Sequence, residues 1–164
     1  MPALQHSCRV LARFGLLLLL ALSLGGCAIK LVADYDSVTY EEIIKVGKKV
    51  DKFYGDLLEA PAGDRGYKKF SERYVDVETD IRSLVTRNQA RALNEESTEI
   101  SEITLKLWIK YKDQHQSRNA YPDGIAKLDR KRFTRLFASA ASAEQAKKLD
   151  ADDKDPAKDS KEAK

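Results

Sequence analysis

The stretch "YKKFSERYVDVETDIRSLV", Tyr67 to Val85, decides the fold class. Its apolar residues Tyr67, Phe70, Tyr74, Val77, Ile81 and Leu84 advance in steps of three, four, three, four and three. A strand alternates every second residue, whereas this spacing puts all six side chains on one stripe of an α-helix. The stripe is narrow, like the seam of a coiled coil, where helices pack at shallow angles. Such a helix needs partners, and the flanking sequence supplies them. The expected fold is all-α: an antiparallel bundle of three to four helices over residues 37–149, with a disordered C-terminal tail.

Upstream, a first helix is predicted from Ser37 or Thr39 to about Glu59. Its apolar positions are Ile43, Val46, Val50, Phe53 and Leu57, widened by Tyr40, Ile44, Tyr54 and Leu58. Thr39 and Glu42 have the spacing of a capping box. "APAGDRG", Ala60 to Gly66, breaks the pattern, and Asp64 offers an N-cap for the helix that follows. Downstream the seam fades after Val85, and Asn94 marks a turn, although one long helix through residue 94 is an alternative. A third helix is predicted over Glu95 to Gln116, with Ile100, Ile103, Leu107 and Tyr111 on one face. Leu105, Trp108 and Ile109 make it apolar on more than one side, which suggests the most buried helix. "SRNAYPDG", Ser117 to Gly124, reads as a loop. A fourth helix is predicted from Asp129 towards Leu149, with Phe133, Leu136, Phe137 and Ala140 inward and a break at Ser142–Gln145. From Asp150 the chain has no aliphatic residue larger than Ala, too little to offset the entropy of ordering, so residues 150–164 are expected to be disordered.

The other end of the chain has a different logic. Residues 1–13 carry Arg9 and Arg13 with no acid, and an apolar run follows from Phe14 to Leu24. The uncharged segment Phe14–Ile29 is 16 residues long, short of the roughly 20 that a spanning helix needs. A positive region, a short apolar run and small residues form the layout of an export signal, here residues 1–26. Its end, Leu24-Gly25-Gly26-Cys27, resembles the lipobox of bacterial lipoproteins. The resemblance implies that signal peptidase II recognises Leu24, Gly25 and Gly26, cuts before Cys27, and leaves that cysteine with a thioether-linked diacylglycerol and an amino group open to acylation by palmitate or a similar chain. Ala28, where an Asp would retain enterobacterial lipoproteins in the inner membrane, implies the outer membrane, facing the periplasm. An inner-membrane anchor stays open, since sorting signals differ among bacteria. The opening "CAIKLVADYD", Cys27 to Asp36, resembles small helical Gram-negative lipoproteins of no known activity, and so implies none. Residues 28–36 then form a tether of roughly 30 Å at about 3.3–3.6 Å per residue.

Lys and Arg total 29 and Asp and Glu 26, and loss of Arg9 and Arg13 with the leader brings the former to 27. A nearly neutral mature protein is not a nucleic-acid binder by charge. The two cysteines, Cys8 and Cys27, both lie near the N-terminus, so no disulfide is expected within the domain. His115 is the one histidine outside the leader, too few for a histidine zinc site, and Lys112 stands where a di-iron bundle would need Glu. His115 is expected to be a surface or interfacial residue. No nucleophile elbow or phosphate-cradling loop is present. No catalytic residue, cofactor or metal is therefore expected. Glu95, Glu96, Glu99 and Glu102 suit the start of a helix or pairing with Arg87 and Arg91, in preference to binding a cation. Lys127, Arg130, Lys131, Arg132 and Arg135 form a basic cluster around the predicted start of the fourth helix, where they oppose the helix dipole. Besides an enzyme with a carboxylate site that no motif marks, two functional readings follow. One is an interaction or scaffold module with an envelope protein partner; the other is binding of lipid or envelope polymer by the basic cluster.

Overall fold

The structure, a computed structural model, describes residues 31–152. The leader, Leu24 to Cys27 and the tail beyond Asp152 lie outside them. Four helices form: α1 (Ser37–Glu59), α2 (Tyr67–Gln89), α3 (Glu95–Arg118) and α4 (Asp123–Asp152), with a 3₁₀ turn at Ala62–Asp64. They run up and down in sequence order, each packed on its chain neighbour, and α1 closes the ring on α4. Among the described residues there is no strand, and no helix is long and apolar enough to cross a membrane.

The α2 seam is realised: Phe70, Tyr74, Val77, Ile81 and Leu84 are buried, with Tyr67 at its half-buried edge. On α1, Ile43, Val46, Val50, Phe53 and Leu57 are buried as expected. The caps differ. Asp36, not Thr39 with Glu42, caps α1: its Oδ1 accepts from the Val38 N–H at 3.1 Å and its Oδ2 from the buried Thr39 hydroxyl at 2.5 Å. Glu42 turns instead to Arg87 on α2, at 3.0 Å. Likewise Gly66, not Asp64, precedes α2, and Asn119 Oδ1 accepts the Tyr67 N–H at 2.9 Å.

Helix α3 is the largest departure. Its buried stripe is Ser101, Thr104, Trp108, Tyr111 and His115, and Ile103 is 42% exposed. This stripe also advances by three and four, but three of its five residues are polar, so the apolar pattern set the face slightly off: Tyr111 is buried as expected and Leu107 packs partly on the core, while Ile103 turns outward. It is not the most buried helix. Helices α2 and α3 are separate, joined by the turn Ala90–Asn94. Helix α4 starts six residues earlier than expected. Pro122 has no N–H to lose and its carbonyl accepts the Ala126 N–H at 3.0 Å, so "YPDG" opens a helix instead of forming a loop. Nor does Ser142–Gln145 interrupt it, and the helix continues past residue 150 to Asp152.

Trp108 organises the core. It is fully buried, its ring lies 5.0 Å from Phe53, 5.2 Å from Tyr74 and 5.6 Å from Phe133, and its Nε1 donates to the Tyr74 carbonyl at 3.0 Å. Rings from all four helices therefore meet at one side chain. Trp108→Ala is expected to cost about 3–5 kcal/mol in urea unfolding, whereas Ile103→Ala costs about 0.5 kcal/mol or less. Equal losses at the two positions would contradict this placement of α3.

Candidate functional site

Because α4 begins at Asp123, the five basic residues lie in its second to fourth turns, and the argument from an opposing dipole no longer applies. They also separate. Arg130 makes a two-pronged bond to Asp51 on α1, at 2.6 and 2.7 Å, and holds that carboxyl below its usual range. Arg132 donates to the Tyr111 hydroxyl at 2.8 Å and to Asp129 at 3.0 Å. Lys127, Lys131 and Arg135 stay exposed, and none forms an ion pair among the described residues.

Beside them lies a groove of about 360 Å³ between α1 and α4. Ile43, Ile44, Gly47 and Phe137 give it an apolar floor, and Lys48, Asp51, Thr134 and Ala138 stand at its edges. Gly47 permits the close approach: a Cβ there would meet Phe137 Cγ at 3.1 Å. The volume is at the low end of small-ligand sites, and it opens to solvent along the helices. A second, shallow hollow of about 530 Å³ is walled by Arg87 and Arg91, which are engaged in ion pairs.

Two buried polar centres were not anticipated. At the end of the bundle that holds the α1 N-terminus, Glu144 of α4 is 0% exposed. It accepts from Lys147 Nζ at 2.6 Å, from Arg91 at 3.1 and 3.2 Å, and from the Asp36 N–H at 2.8 Å. Lys147 completes its donors on Asn94 Oδ1 at 2.5 Å and Ser97 Oγ at 2.8 Å. Burial alone would raise the Glu144 carboxyl, but the bonds from Arg91, Lys147 and the Asp36 N–H outweigh it and hold the pKa below normal. The same end captures the preceding chain. Ala33 N–H donates to the Leu93 carbonyl at 2.8 Å, and Arg91 Nη2 donates to the Asp34 carbonyl. Residues 33–36 thus form a strap and not a free tether.

At the opposite end, Arg65 is 5% exposed and donates to the Ala60, Leu58 and Tyr121 carbonyls at 2.8, 3.0 and 3.3 Å, and to Asp123. Nearby, Tyr121 donates to the buried Asp129 at 2.8 Å. His115 is not at the surface; it is 1% exposed. Its Nε2 faces the Arg65 carbonyl at 2.7 Å, which only accepts, so Nε2 carries the proton and Nδ1 accepts from Tyr74 OH at 3.0 Å. Each of these groups is committed to the fold, and burial pushes the Tyr54, Tyr74 and Tyr121 hydroxyls upward, away from ionisation.

The acidic residues Glu95, Glu96, Glu99 and Glu102 do not pair with Arg87 or Arg91. Those arginines reach Asp36, Glu42 and Glu144, and Glu102 accepts from Gln89 at 2.9 Å. Among the described residues no three His, Cys, Asp or Glu side chains are grouped to hold a metal. Compared with known proteins, the chain matches no family model, and no curated protein or solved structure matches it significantly.

The state of His115 has a pH consequence. Burial lowers its pKa from 6.5, so the folded protein keeps it neutral at a pH where the unfolded chain has begun to bind a proton. Its contribution is complete above about pH 6.5 and is lost as pH falls through the lower, folded-state value. The melting temperature should therefore drop between about pH 7.5 and 5.5, and His115→Gln should flatten that drop. An unchanged slope in the variant would refute it.

Proposed function

We propose that this protein is a lipid-anchored interaction module of the bacterial envelope, held by Cys27 to the periplasmic face of the outer membrane. The groove between α1 and α4 is its docking surface, and the observation that carries this reading is the Gly47–Phe137 approach that opens an apolar floor to solvent. The occupant that fits is an apolar segment of an envelope protein flanked by acidic side chains. Lys48 on α1 and Lys131 and Arg135 on α4 are exposed and form no ion pair among the described residues, so their charge is available to it. Support for the anchor comes from the order of leader, small pair and cysteine in the sequence. With Ala33 fixed to the bundle, about six residues separate it from Cys27, a reach of roughly 20 Å. The domain is then held against the bilayer, not on a stalk.

A second reading rests on Lys127, Lys131 and Arg135 alone, as contacts for phosphates of lipid or envelope polymer. Arg130 and Arg132 leave that set, because Asp51, Asp129 and Tyr111 already occupy them.

Photocrosslinkers placed at Lys48 and at Ala138 should give one shared adduct in cells, and one at Glu72, exposed on α2, should not. Ala138→Trp fills the groove from an exposed position and should abolish the Lys48 adduct without lowering the melting temperature. Adducts unaffected by Ala138→Trp would remove the groove from the account. Cys27→Ser should stop incorporation of labelled palmitate, and continued labelling would remove the anchor.

A further inference from the structure

The strap end of the bundle has a surface that its own fold does not use. Among residues 32–148 the exposed large apolar side chains are Val32 (39% exposed), Val38 (48%) and Leu93 (41%), and Val75, Ile103 and Leu128. The last three are isolated, one each on α2, α3 and α4. The first three share one end: Val32 precedes the strap, Val38 is in the first turn of α1, and Leu93 is in the α2–α3 turn. Val32 and Leu93 are brought together by the bond from Ala33 N–H to the Leu93 carbonyl.

Leu93 is unusual in a second way. Its φ is 59°, the left-handed region, where Gly or Asn sits at lower cost than a leucine. The bundle covers only part of this strained leucine, and the 41% left exposed is apolar surface that a further contact would bury.

We infer that this end rests on the bilayer, with Val32, Val38 and Leu93 immersed at the boundary between headgroups and acyl chains. The inference builds on the proposed lipid anchor at Cys27 and adds an orientation to it. Chain length and its direction of departure choose the occupant. The strap is tied at Ala33, Asp34 and Asp36 to the α2–α3 turn and α4, so the chain leads to Cys27 from this end, within roughly 20 Å. The six residues from Cys27 to the Ala33 tie point thus set an upper limit of roughly 20 Å on how far a lipid on Cys27 can stand from that point. Charge refines the choice. Glu95 and Glu96 are exposed in the first turn of α3, directly after the Leu93–Asn94 turn, and Lys148 is exposed over the Tyr35 ring at the same end, so both signs of charge surround the apolar side chains. The surface therefore fits a zwitterionic layer such as phosphatidylethanolamine. The consequence is an upright bundle: the α1–α4 groove runs away from the membrane, and the Arg65 end is the far end.

The test uses the lipidated protein in phosphatidylethanolamine–phosphatidylcholine vesicles. With Cys8 removed and Cys27 in a thioether, an introduced cysteine is the single free thiol. A polarity-sensitive fluorophore is attached at Leu93→Cys, at Val38→Cys, and at Gly63→Cys in the 3₁₀ turn of the opposite end, where no atom lies within 4 Å of an added Cβ. Positions 93 and 38 should shift to the blue and be quenched at least twofold by spin-labelled lipid, and position 63 should do neither. Vesicle-bound protein with position 93 behaving like position 63 would overturn the docked end and leave the anchor standing. Protein that does not float with the vesicles would overturn the anchor, and the docked end with it. A blue shift without quenching by lipid would mean that a second copy or another protein covers the surface, which also overturns the inference.

Discussion

The structure depends most on the carboxylate of Glu144. It lies inside the bundle with two cations and a backbone N–H directed at it, and each donor comes from a different part of the chain: Arg91 after α2, Lys147 one turn along α4, Asp36 at the head of α1. Burying such a charge is costly, and removing one partner of a buried pair typically costs about 3–5 kcal/mol. An apolar core fills space without distinguishing closely related arrangements. This group accepts only one: the strap, the α2–α3 turn and the end of α4 must all be in register to satisfy it. Asn94 and Ser97 extend the same constraint to the start of α3.

The two ends of the bundle are consequently different objects. The Arg65 end is closed by a guanidinium that satisfies the last carbonyls of α1 and holds the loop before α4, with His115, Tyr74, Tyr121 and Asp129 hydrogen-bonded behind it. It resembles a plug. The Glu144 end binds the incoming chain and still presents Leu93 and Val38 to solvent. Between them, Gly47 lets Phe137 pack closely on α1 at the floor of the groove. Three local facts thus distinguish the surface of the bundle: a pinned strap, an apolar end and a close helix approach at Gly47.

Much of the fold was legible in the sequence. The α2 seam, the extent of α1 and the all-α class follow from spacing alone, because an apolar stripe in phase with 3.6 residues per turn has no other stable home. What was missed shares one cause. In α4 the inward positions run Phe133, Phe137, Ala140, Glu144, Lys147, so the step of four and three continues through two charged residues. In α3 it runs Ser101, Thr104, Trp108, Tyr111, His115, again mixing polar with apolar. Reading hydrophobicity alone lost the register where the protein used buried polar bonds to fix its geometry. The signal was present as charge in phase with the seam. The caps at Asp36 and Asn119 were less accessible, since Asn119 serves a helix that precedes it by some fifty residues. The basic cluster was legible as a cluster, but only coordinates divide Arg130 and Arg132, which are occupied, from Lys127, Lys131 and Arg135.

Glu144 fastens the strap to the bundle and so sets the end from which the preceding chain leaves. Native-state hydrogen exchange at the Ala33 and Asp36 amides, compared between the parent and Glu144→Ala, tests it most directly. The account predicts that both amides are protected in the parent and exchange as in a free chain in the variant, while the amides of the α2 seam remain slow. Strap amides that exchange equally in both proteins would contradict it.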